Sequence, residues 1–243
     1  MSNLVGRHSF RAFLHKLSTL IDKFVKQEGL PASYAKQAED WFLPLAERIS
    51  SSIPGARPLL LGISGGQGTG KSTLARLLEL VLSERHGLRV ARLSIDDFYL
   101  TRAERKELAE KIHPLLMTRG VPGTHDTTLL DETLDRLNSL QSGESCPLPR
   151  FDKAIDDRVP EGEFEVVEGP VDVVILEGWC VGFVGHSEED EWGTVDEWYR
   201  DFDPDGNWRR FINSCLENDY AAIFERIDTL VFIRAPDFDT IRR

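Results

Sequence analysis

The chain has 243 residues, 41% hydrophobic and 29% charged, with 41 acidic against 29 basic side chains and a formal net charge of −12. That balance argues against nucleic acid as a partner, because phosphate backbones are bound through Lys/Arg-rich surfaces, while leaving room for a local basic pocket that takes a small anion. No apolar run approaches the roughly 18 residues of a membrane span, so no membrane partner is expected. The odd set Cys146, Cys180 and Cys215, without C-x-x-C spacing, suggests reduced thiols in a cytoplasmic protein rather than a disulfide framework or a zinc site.

Residues 1–27 carry five Lys/Arg and one Asp, with Phe10, Phe13, Leu14, Leu17, Leu20, Ile21, Phe24 and Val25 spaced along one helical face. Such a basic amphipathic start has two readings, an organelle transit peptide or, favoured here, a helix whose stripe docks on the catalytic domain. A second helical pattern covers 33–50, and the turn cluster SSIPGARP follows it. The chain is therefore divided into an N-terminal helical extension, 1–53, and a main domain, 54–243.

In the main domain the pattern alternates. LLLGIS reads as a buried strand, 71–86 as a helix, RVARLSI as a strand, and 102–112 and 128–140 as helices. A strand at 171–176, a helix over 207–227 and a strand at 229–235 complete the series. Short apolar runs separated by helices predict βαβ units and a mostly parallel sheet covered on both faces, a three-layer α/β fold. Nine of residues 188–205 are Asp or Glu, interleaved with Trp192, Trp198 and Tyr199. This stretch is expected to be a solvated insertion or a substrate-covering loop.

The first predicted strand runs into GISGGQGTGKST, where Gly65, four residues, Gly70, Lys71 and Ser72 satisfy the P-loop pattern. Glycines let the backbone curl so that its N–H groups converge on phosphate oxygens at a helix N-terminus. The nucleotide-binding residues are thus Gly65, Gly66, Gln67, Gly68, Thr69, Gly70, Lys71, Ser72 and Thr73, with Lys71 reaching the β/γ-phosphates and Ser72 on Mg²⁺. There is no Asn-Lys-x-Asp guanine-reading motif. Phosphoryl transfer to a hydroxyl also needs a carboxylate beside the acceptor oxygen and a metal bridging the phosphates. SIDDFY and ILEGW each supply a carboxylate at a strand end. In extended chain Asp96 and Asp97 would point to opposite faces.

GISGGQGTGKST, SIDDFY and ILEGW, in this order, resemble the P-loop small-molecule kinases related to uridine kinase, pantothenate kinase and phosphoribulokinase. SIDDFYLT, RGVPGTHD, PRFDK and EGWCVGF resemble more closely the D-glycerate 3-kinase group of plants and fungi. The resemblance implies a P-loop fold, ATP and Mg²⁺ as cofactors, and transfer of a γ-phosphate to a small, anionic hydroxyl acceptor, D-glycerate being favoured. It puts the catalytic base, which also neighbours the metal, on Asp96 and a metal-proximal carboxylate on Glu177. Catalysis would rest on Asp96, Lys71 and Glu177, and metal binding on Ser72, Asp96 and Glu177. Acceptor binding falls on Arg119, His125, Asp126 and Arg158, with His125 open to a structural or a basic role and Arg119 suited to a substrate carboxylate. In such kinases the strand resembling LVFIRAPDF leads into an arginine-bearing lid. Arg242 and Arg243 would be its first residues, and the chain stops before a complete one. The rival readings are a nucleoside or pantothenate-type kinase and a nucleotide-binding regulatory protein with weak turnover.

Overall fold

The computed structural model describes residues 17–186 and 197–237. The first part of the basic stripe, much of the acidic stretch and the pair Arg242 and Arg243 lie outside the described residues.

Helix α1 (17–27) buries Leu17, Ile21, Phe24 and Val25, the stripe expected from their spacing. Two further helices follow, α2 (Ser33–Gln37) and α3 (Leu43–Ser51), joined by a π-helical turn at Ala38–Phe42. The sequence pattern predicts one uninterrupted helix here. Pro44 has no N–H to offer the carbonyl four residues back, and the Leu43 N–H reaches back five residues to the Ala38 carbonyl, widening the turn.

Four strands, β1 (Leu59–Gly65), β2 (Val90–Ser94), β7 (Val173–Gly178) and β8 (Thr229–Ile233), form a parallel sheet in the order β2-β7-β1-β8. Between β1 and β2 lies α4 (Lys71–His86), and α5 (Arg102–Lys111) and α6 (Thr127–Ser139) follow β2. Before β7 come β3 (Ser145–Leu148), β4 (Phe151–Asp152), β5 (Asp157–Arg158) and β6 (Glu165–Glu168); after it come α7 (Glu197–Phe202), α8 (Asn207–Cys215) and α9 (Ala221–Phe224). The helix expected over 207–227 is α8 and α9 joined by a π turn at Leu216–Tyr220.

The three layers follow from strand periodicity. Leu59, Leu61 and Ile63 of β1, with Val173 and Ile175 of β7, pack against α1, α3 and α4. The alternate residues Leu60, Val174 and Leu176 pack with Leu130, Leu134 and Leu137 of α6 on the other face. The extension thus contributes to one of the two cores. Ile21 is 1% exposed. Ile21→Ala should lower stability by about 2–5 kcal/mol, whereas Trp41→Ala, at a residue 72% exposed, should stay within about 0.5 kcal/mol. Thermal melts of the two variants check this, and equal melting temperatures would mean that α1 contributes nothing to the core.

Two small antiparallel pairs, β3 with β6 and β4 with β5, are not visible in the sequence pattern. They have two to four residues per strand, too few for alternation to register. The β4–β5 hairpin places Phe151 opposite Arg158 and Asp152 opposite Asp157, and turns through Asp156 in the left-handed region, φ 57°.

Candidate active site

Parallel register sets the carboxylates in place. Glu177 stands across from Ile63 of β1 and Ser94 of β2, so the C-terminal ends of three strands meet where an open α/β sheet binds its ligands. Residues 65–73 make the turn from β1 into α4. A side chain at Gly65, φ 155°, would put its Cβ 2.6 Å from the Ile233 carbonyl oxygen, so only glycine fits between the loop and β8. At Gly178, directly after Glu177, an added Cβ would collide with Ile95, which explains the Glu-Gly pair at the end of β7.

In this loop the Lys71 ammonium donates to the Gly66 carbonyl at 2.8 Å, and the Thr69 hydroxyl donates to the same oxygen at 2.7 Å. The Ser72 hydroxyl donates to Glu177 Oε1 at 2.7 Å. Burial lowers the Lys71 pKa, opposed by the carboxylates of Glu177 and Asp96. Ser72, Glu177 and Asp96 offer oxygen donors only, the type that Mg²⁺ prefers. Among the described residues no three His, Cys, Asp or Glu side chains converge on a common point.

Asp96 and Asp97 do diverge, but for a different reason from the one strand geometry suggests. Strand β2 ends at Ser94 and both residues sit in a 3-10 turn, Ile95–Phe98, where successive side chains step by about a third of a turn. Asp97 is tied inward, accepting from Arg150 Nη1 at 2.9 Å and from the Phe151 N–H at 3.3 Å. Burial raises the Asp97 pKa against the pull of Arg150. Asp96 lies within electrostatic reach of the P-loop, where its charge opposes the lowering of the Lys71 pKa. Its Oδ1 accepts from the Tyr99 hydroxyl at 2.9 Å and its Oδ2 from Lys153 Nζ at 2.7 Å. Burial alone would raise its pKa, but the Lys153 ammonium and the Tyr99 hydroxyl outweigh it and keep the carboxyl below its ordinary value. Asp96 is therefore ionised at neutral pH.

The segment carrying Arg119, His125 and Asp126 is held beside this turn by main-chain bonds. Asp126 N–H donates to the Phe98 carbonyl at 2.7 Å and Leu100 N–H to the Thr124 carbonyl at 2.9 Å. Asp126 caps α6 through Leu129 N–H at 2.9 Å and accepts from Arg158 at 3.0 Å. Arg119 pairs with Asp156 and lies over the Phe151 ring. His125 is buried, stacked on Tyr99 at 4.5 Å, with Nδ1 2.6 Å from the Tyr220 hydroxyl. Burial lowers its pKa to about 4, so it is neutral near pH 7 and braces Tyr99 from behind.

Three residues in this region carry roles that the sequence alone does not indicate. Tyr99 reads as a packing residue, yet its hydroxyl positions Asp96. Lys153 reads as part of a charged loop, yet it reaches the same carboxylate. Arg105, 1% exposed, donates to the carbonyls of Leu100, Met117 and Asp156 at 3.1, 2.9 and 2.8 Å and pairs with the Asp156 carboxylate at 3.0 Å. One buried guanidinium therefore fixes three loops around the site. The spacing of Tyr99 three residues after Asp96, inside one helical turn, is the single sequence cue to any of these roles.

No protein-family profile matches the chain. It is 35% identical to an uncharacterized kinase, mug58, of Schizosaccharomyces pombe over 205 residues, covering 78% of this chain and 69% of that protein. It is 40% identical to the probable ATP-dependent kinase TDA10 of Saccharomyces cerevisiae over 137 residues, covering 52% of this chain and 47% of that one, so this match spans about half of TDA10. Among solved structures, a D-glycerate 3-kinase from Cryptococcus neoformans superposes with a TM-score of 0.68 at 32% identity, covering 87% of this chain and 76% of that one.

Proposed function

Since the chain belongs to the D-glycerate 3-kinase/TDA10 group of P-loop kinases, we propose that it transfers the γ-phosphate of ATP to a hydroxyl of a small anionic acceptor, with D-glycerate the best candidate. The observation that carries this reading is Asp96, an ionised carboxylate whose charge acts on Lys71 of the P-loop and which accepts from Lys153, while Arg158 and Arg119 pair with Asp126 and Asp156 in the neighbouring segments.

The P-loop N–H groups and Lys71 would hold the β- and γ-phosphates once the Lys71 ammonium leaves the Gly66 carbonyl. Ser72, Glu177 and Asp96 would hold Mg²⁺, directly or through water, and the ion's contribution is to neutralise charge on the phosphates. Asp96 accepts the proton of the acceptor hydroxyl as that oxygen bonds to the γ-phosphorus and the bond to the ADP oxygen breaks. Most of the rate enhancement is then positioning and electrostatics rather than covalent chemistry by the protein. Labelled ATP offered with D-glycerate, uridine and pantothenate tests the reading: label should pass to D-glycerate. Transfer to uridine or pantothenate alone would replace the proposed acceptor, and ATP binding without transfer to any of them would overturn the kinase reading.

A further inference from the structure

Three cation–carboxylate pairs surround the proposed acceptor site, and they are not equivalent. Arg119–Asp156 and Arg158–Asp126 belong to the frame. Asp156 is also held by buried Arg105, and Asp126 also caps α6. Breaking either pair for a substrate would disturb the hairpin or the helix start. Lys153–Asp96 joins the tip of the β4–β5 hairpin to the proposed base, and Lys153 is 58% exposed beside the exposed Ala154 and Ile155. This ammonium can leave without loosening anything else.

Its departure also opens the one side of Asp96 that is not walled in. Asp96 has one oxygen on the Tyr99 hydroxyl and the other on Lys153. Tyr99 is 4% exposed and clamped between His125 and Phe151, with ring centroids 4.5 and 5.4 Å away, so it cannot move aside. An acceptor hydroxyl therefore reaches Asp96 from the Lys153 side. A neutral alcohol brings no charge of its own to receive the displaced ammonium. An acid whose carboxylate lies close to its reacting hydroxyl gives charge for charge, and a lysine on four flexible carbons can follow it.

We propose that Lys153 is the acid-selecting residue of the site: it occupies Asp96 in the absence of acceptor and is drawn off by the acceptor's own carboxylate, so that the base is uncovered when a hydroxy acid is bound. The inference rests on the kinase reading above and deepens it. It also moves the carboxylate-reading role, which residue chemistry assigns to Arg119, onto a side chain that is free to take it.

The test compares the whole protein with Lys153→Ala and Lys153→Arg, using phosphate transfer to D-glycerate and to glycerol together with calorimetric binding of D-glycerate. Lys153→Ala should raise KM and Kd for D-glycerate roughly ten- to hundredfold, the effect of losing one charge-assisted hydrogen bond, while kcat/KM for glycerol stays level or rises because nothing then covers Asp96. Lys153→Arg, which keeps the charge, should recover most of the loss. A preference for D-glycerate over glycerol that is the same in Lys153→Ala as in wild type overturns the role of Lys153 and leaves the kinase reading standing. A Lys153→Arg variant as impaired as the alanine variant overturns that role equally. Wild-type protein that transfers phosphate to glycerol but not to D-glycerate overturns the role of Lys153 and the proposed acceptor together.

Discussion

Asp96→Asn should lower kcat for phosphate transfer by roughly 10²- to 10⁴-fold, the range for loss of a positioned general base, while the protein melts close to wild type. The amide keeps the size of the side chain and still accepts from Tyr99 or Lys153 through its one oxygen, so the turn Ile95–Phe98 should persist. What it loses is the ability to take a proton and a negative charge. Asp97→Asn supplies the contrast. Its carboxylate is occupied by Arg150 and the Phe151 N–H, so removing its charge leaves Arg150 without its inward partner and should be read in stability. The effect on kcat should be less than about tenfold. Steady-state kinetics and thermal melts on the two variants decide between the adjacent carboxylates. If Asp97→Asn loses turnover and Asp96→Asn keeps it, the assignment is reversed.

Lys71→Ala should cost roughly 10²- to 10³-fold in kcat, comparable to removing one preorganised donor from a developing anion. The ammonium stands within 2.8 Å of the Gly66 carbonyl, inside the loop that would cradle the phosphates. Its partial burial reduces the solvent screening of its charge. Lys71→Arg is not expected to restore the rate, because a planar fork on a stiffer group does not fit where a compact point charge does. Binding of ATP, measured separately, should weaken less than turnover, since the backbone donors of the loop remain. Unchanged turnover in Lys71→Ala would mean that the loop does not hold the transferring phosphoryl group.

The parts of the molecule that are legible in the sequence are those set by local chemistry. Helix α4 occupies the 71–86 span read from periodicity, because the P-loop fixes its start and Gly87 in the left-handed region fixes its end. The parallel sheet follows from apolar runs separated by helices, and Ser72 meets Glu177 because the motifs that carry them end adjacent strands. The illegible parts are set by distance along the chain. Lys153 is 57 positions from Asp96 and Asp156 is 51 from Arg105, and no local pattern encodes such pairings. Asp96 and Asp97 diverge as extended chain predicts, yet a 3-10 turn is what separates them. Burial then decides a further question that residue type leaves open: neutral, enclosed His125 serves as a wall for Tyr99.

Arg105 separates two kinds of sequence freedom in the acceptor hairpin. Its guanidinium pins the base of the loop through three main-chain carbonyls and the Asp156 carboxylate. The tip, from Lys153 to Ile155, is exposed and carries no part of that anchorage. On the role proposed for Lys153, exchanging tip residues would change the acceptor without disturbing the base of the loop.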